Sequence, residues 1–156
     1  MATWERELLR LLDSEKELLS TLCECAEEKT PMLVKGNVDG ISRMINREQP
    51  LSLRCQAAEA ERAALLEQNR LKGKTLRELC LVADNQYKGL LEMRFKELVA
   101  VVKRLRKRNE LNSQLTRSRL EFYGKLRALV SRPAYGYDGL AQQYSRAGRG
   151  IIDRKV

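Results

Sequence analysis

Histidine is absent from this 156-residue chain, and aromatic residues make up only 5% of it. The first absence removes the commonest general base and metal ligand. No paired carboxylates stand apart from charged helical runs either, and no nucleophile has a base beside it to activate it. The sequence therefore predicts no catalytic site, no cofactor and no metal centre. The scarcity of aromatics, beside 43% hydrophobic residues, points to Leu, Ala and Val packing between helices rather than to a sheet core. No stretch approaches the roughly 18 consecutive apolar residues of a membrane span. Met1-Ala2-Thr3-Trp4-Glu5 also lacks the basic and then apolar start of a signal segment. No membrane insertion is expected, and the expected location is the cytoplasm.

Cysteine is present but sparse: Cys23, Cys25, Cys55 and Cys80 fall inside periodic segments, not in a loop-rich disulfide framework. Free thiols are expected. Cys23 and Cys25, two apart, point to different sides of a helix, which is poor metal geometry.

Proline occurs only at Pro31, Pro50 and Pro133, so nothing breaks the chain from Thr75 to Arg132. Within that stretch Leu91, Phe95, Leu98, Val102 and Leu105 follow one another at spacings of four and three, the seam of a coiled coil. A helix over about 87–130 is predicted, roughly 66 Å long. Continuing the same count past Leu105 reaches Asn109, Asn112, Thr116 and Arg119. The seam is thus expected to turn polar halfway along, while a second stripe, Leu111, Leu115, Phe122, Leu126 and Leu129, faces a different partner.

The remaining elements have local signals. Thr3 is a candidate N-cap before a helix over about 3–35, with Glu5 and Glu7 in its first turn and Trp4, Leu8, Leu11, Leu18 and Leu22 on one face. Pro31 predicts a kink or short break near Lys29 to Thr30. Gly36-Asn37 reads as a left-handed stop followed by a new cap; no Lys-Ser or Lys-Thr follows these glycines to make a phosphate loop. A second helix over about 38–71, kinked at Pro50, and a short one over about 75–83 complete a bundle spanning 1–132. Residues 133–156, rich in Gly, Tyr, Gln and Arg, are expected to form a flexible C-terminal tail. The fold class expected is all-α: an elongated antiparallel helical hairpin or bundle with coiled-coil packing.

Charge is divided along the chain. Residues 1 to 30 carry eight acids against four bases, and residues 88 to 132 carry four acids against thirteen bases. Opposite signs favour pairing the first and last helices, expected here to lie antiparallel, although exposed ion pairs contribute only about 0.3 to 0.5 kcal/mol each.

Two features near the C-terminus are more specific. The run Asn109-Glu110-Leu111-Asn112-Ser113-Gln114-Leu115, then Ala134-Tyr135-Gly136-Tyr137-Asp138-Gly139, then a basic end from Arg146 to Lys155, resembles the FlgN family of flagellar export chaperones, over the whole chain. The resemblance implies a cytoplasmic chaperone that binds hook-associated filament-junction proteins before export and delivers them to the gate of the flagellar type III machine. Carried over by position, it implies cargo binding by Asn109, Leu111, Asn112, Leu115, Phe122, Leu126 and Leu129. It likewise implies export-gate binding by Tyr135, Gly136, Asp138 and Gly139. Thr116 stands where the family often has an apolar residue, and Tyr137 and Tyr144 are additional aromatics.

Other classes of function share parts of this pattern. A generic coiled-coil scaffold or secretion-apparatus component would have the same fold and differ in what the tail does. Self-association through the exposed helical face is a further reading. The run Lys103-Arg104-Leu105-Arg106-Lys107-Arg108 raises nucleic-acid binding, but such runs are usually solvated helix faces, and this one lacks stacking aromatics. No nucleic-acid partner is expected.

Overall fold

A computed structural model describes residues 3–130. Four helices and no strand lie among them: α1 (Trp4–Lys35), α2 (Val38–Gln68), α3 (Leu76–Val82) and α4 (Asn85–Val130). The all-α class expected from composition is the class observed. None of these helices is long and apolar enough to cross a membrane.

Each boundary has a cause in the sequence. Thr3 caps α1 by accepting from the Arg6 N–H at 3.4 Å. At the other end Gly36 adopts φ +69°, where a side chain would be strained; this lets the Asn37 N–H reach back to the Met32 carbonyl at 2.9 Å. Asn37 then caps α2 through the Gly40 N–H at 3.0 Å. Thr75 and Glu78 form a reciprocal capping box at the start of α3, at 2.7 and 3.2 Å.

Pro31 does not break α1, and Pro50 does not break α2; both helices run through. The break expected near Lys29 to Thr30 is therefore absent. Pro31 forfeits one backbone hydrogen bond only a turn from the end of α1, and the last turn has outside support, described below.

α1 is the centre of the assembly: both α2 and α4 pack along it, α3 packs on α4, and the backbones of α2 and α4 do not meet. Leu8, Leu12, Leu19, Cys23 and Ala26 of α1 join Cys55 and Ala58 of α2, Leu76 and Leu79 of α3, and Leu91, Leu98 and Leu105 of α4 in one core. On α2 the buried apolar contacts to this core are the small Cys55 and Ala58, and the contact with α1 also includes buried charge. Lys29 Nζ lies 2.8 Å from Glu48 Oε1, both side chains almost wholly shielded. Arg62 Nε lies 3.1 Å from the buried Glu15 Oε1, in a geometry that makes no hydrogen bond. Burial pushes the Lys29 ammonium below its usual range, against the pull of Glu48. Burial likewise pushes the Glu15 carboxyl up, against Arg62.

The order of contacts along the chain gives the directions. Glu15 meets Arg62 and Lys29 meets Glu48, so α1 and α2 form the expected antiparallel hairpin. Along α4, Asp13 meets Arg94 at 2.7 Å, Lys16 meets Glu97 at 3.0 Å, and Glu27 meets Arg104 at 2.7 Å. Both numbers rise together. α1 and α4 are parallel, not antiparallel as charge and seam suggested. The expected pairing of these two helices is correct; its direction follows instead from α2, which carries the chain back to where α1 began. There the buried Glu5 accepts from the Asp84 N–H at 3.4 Å, just ahead of α4.

All four cysteines are buried and free. Among the described residues no cluster of metal-ligating side chains is found.

Candidate partner-binding face of the long helix

α4 has 46 residues against 32 in α1, about 69 Å against 48 Å at 1.5 Å per residue. Because the two start together and run parallel, the excess of α4 projects past the α1–α2 turn. Arg119 marks the level at which α1 stops.

The seam that places α4 on α1 repeats every seven residues: Leu91, Leu98 and Leu105, all buried, then Asn112, also fully buried, then Arg119. The seam turns polar halfway along, as expected, but it does not leave α1 there: its polar half faces α1 as well. Asn112 Nδ2 donates to the Ala26 carbonyl at 2.7 Å, and the Thr30 hydroxyl lies 2.7 Å from Asn112 Oδ1. Arg108 Nη1 donates to the Thr30 hydroxyl oxygen at 3.4 Å. Arg119 Nε donates to the Leu33 carbonyl at 3.2 Å and Nη2 donates to the Val34 carbonyl. A guanidinium thus caps the C-terminal carbonyls of α1, where a cation is favoured by the helix dipole. It packs so close to the turn that a Cβ on Gly36 would sit 3.3 Å from Arg119 Nη1.

Beside this seam lies the second stripe. At 100° per residue, Leu111, Leu115, Phe122, Leu126 and Leu129 fall within a narrow arc of α4. Leu111 is 40% exposed, Phe122 53% and Leu129 81%, while Leu115 is half-buried. The Phe122 and Tyr123 rings meet edge to face, 5.8 Å between centroids. The backbone of α2 does not come near α4, so the Ile41 to Leu53 region does not cover this stripe. Of the residues that the resemblance assigns to cargo, Asn109 is half-buried at the margin. Asn112 belongs to the α1–α4 interface and is withdrawn from the surface. Tyr135, Gly136, Asp138 and Gly139 lie outside the described residues.

The basic run divides between two surfaces. Arg104 pairs with Glu27, Leu105 is buried and Arg108 turns to Thr30, while Lys103 and Lys107 are exposed.

Sequence reasoning put Asn112 and Arg119 on the seam but missed that they bond to α1; it also missed the roles of Glu5 and the Lys29–Glu48 pair, which nothing local in the sequence marks.

A model of the FlgN family, described as FlgN protein, matches residues 1–149. No curated protein and no solved structure matches the chain. With the match spanning all four described helices and the motifs at Asn109–Leu115 and Tyr135–Gly139 inside it, the chain belongs to the FlgN family, a family of flagellar export chaperones.

Proposed function

We propose that this chaperone acts in the cytoplasm, holds hook-associated filament-junction proteins on the distal half of α4, and passes them to the export gate through its tail. The observation that carries the reading is the apolar stripe from Leu111 to Leu129 on a helix that outlasts the helix it packs on. Large apolar side chains at helical spacing on an uncovered face suit an amphipathic segment laid alongside. Asn109 contributes a polar contact at the margin. Burying a side chain such as Phe122 or Leu126 is worth about 1.5–3 kcal/mol, and association itself takes back several kcal/mol. A stripe of five such residues therefore supports a hold that is firm enough to keep cargo from aggregating and weak enough to release. In the tail, Tyr135 is the docking residue for the export gate, and Gly136, Asp138 and Gly139 belong to the same contact. One amphipathic ring on a short tether suits a transient handover.

The experiment is a pull-down of a hook-associated protein by the full chain and by the double variant L115A/F122A. Capture should be lost while the melting temperature stays within a few degrees of wild type. A stability loss of about 3–5 kcal/mol, typical of a buried Phe cut to Ala, or undiminished capture, would remove the stripe from this role. Tyr135→Ala should keep cargo capture but lower gate binding and cargo export; the reverse pattern would assign the tail to the cargo site.

A further inference from the structure

The α1–α4 seam changes chemistry at Leu105. Below it the row is Leu91, Leu98 and Leu105, each nearly inaccessible. Above it, as far as α1 extends, the seven-residue row holds Asn112 and Arg119, joined to α1 by hydrogen bonds to Ala26, Thr30, Leu33 and Val34. Apolar contacts have no competitor in water, whereas each of these hydrogen bonds can be exchanged for bonds to solvent at a small net cost. Opening also frees both ends of the latch at once, so neither Asn112 nor the Ala26 carbonyl is left buried without a partner. The chain beyond Arg119 has no α1 alongside to hold it down.

We propose that Asn112, Thr30, Arg108 and Arg119 form a polar latch, and that residues 106–119 of α4 open from α1 as a separate unit while residues 91–105 stay docked. This rests on the reading of the distal stripe as the partner face, and it concerns how that face is governed: Leu111 and Leu115 lie between the latch residues, so a segment that lifts off α1 presents its whole circumference. Asn112 is then a positioning residue. It holds the arm in place without fixing it, where a leucine in the same row would close the seam for good. A leucine can be accommodated, because the Thr30 hydroxyl already lies 3.2 Å from the Ala26 carbonyl and can turn to it when the amide is gone.

The test is native-state hydrogen exchange on the full chain with no partner present. In the wild type, amides of residues 106–117 should exchange about tenfold or more faster than those of 91–105. In Asn112→Leu the distal amides should slow to match the proximal ones, and in Arg119→Gln they should speed up while the proximal amides keep their rates. Equal protection of the two segments in the wild type overturns the latch, as does an Asn112→Leu chain whose distal amides exchange as fast as before. Should Asn112→Leu not fold, Arg119→Gln decides alone: unchanged distal rates would overturn the proposal. Because no cargo is used, failure here leaves the role of the stripe standing, and loss of that role through L115A/F122A would leave the latch standing.

Discussion

Lys29 and Glu48 set the tightest constraint between α1 and α2, since both charges are almost wholly shielded from water and lie 2.8 Å apart. Removing either partner alone leaves the other buried without its counter-charge. Lys29→Ala or Glu48→Ala should each cost about 3–5 kcal/mol, while the double variant K29M/E48L should be near neutral or more stable. Urea denaturation of the three chains measures this. The cysteines make a second prediction at this scale. Burial raises the thiol pKa at all four positions, and at Cys55 pushes it up to about 11 from an ordinary 9.0. The folded chain holds these protons more tightly than the unfolded chain. Their contribution is therefore complete below the ordinary value and is lost as pH climbs towards the folded one. The melting temperature should fall between about pH 9 and 11, and less steeply in Cys55→Ala. Native thiols should also react slowly with a thiol reagent and all four react on unfolding.

At the scale of the element, α1 shows how tertiary support overrides a local breaker. Pro31 cannot donate to the Glu27 carbonyl, and its ring crowds that turn. The helix nevertheless continues to Lys35, because Arg119 caps its last carbonyls and Asn112 and Thr30 brace Ala26. Pro31→Ala should restore one backbone bond and raise stability by about 2 kcal/mol, the helix gain reduced by the greater freedom of the unfolded chain. A shift of the urea midpoint without a change in slope would show it. α4 illustrates the converse. Its period was legible in the sequence over its whole length, yet period alone did not say which stripe faces α1. Both the row through Leu105 and the row through Leu111 satisfy helical spacing. The choice shows at Asn112, which continues the row through Leu105 and meets the Ala26 carbonyl of α1.

At the scale of the whole molecule, the parallel course of α1 and α4 puts the acidic and basic ends of the chain side by side. A short bismaleimide linker should join cysteines placed at Lys16 and Glu97, and at Glu27 and Arg104. It should not join a cysteine at Glu7 to one at Arg117, as an antiparallel pair would. Mass spectrometry of the linked peptides reads this directly, and the native thiols, being buried, stay out of the reaction. Raising the salt should lower the melting temperature only slightly, since these ion pairs are partly exposed to solvent and individually weak.

By itself the sequence determined the helices, because their causes are local: a 3.6-residue period, Thr3, Asn37 and Thr75 as caps, Gly36 as the one residue suited to a left-handed stop. It also determined the family, through two short motifs near the C-terminus. Tertiary structure alone decided how the helices run against one another. A seam of leucines is nearly symmetric along its axis and pairs in either direction, so charge and period leave direction open; chain return through α2 closes it. Tertiary structure decided too that Asn112 is interior while Leu111 is not. The two are neighbours in the sequence, and what separates them is a 100° turn of the helix and a single carbonyl on α1 waiting opposite one of them.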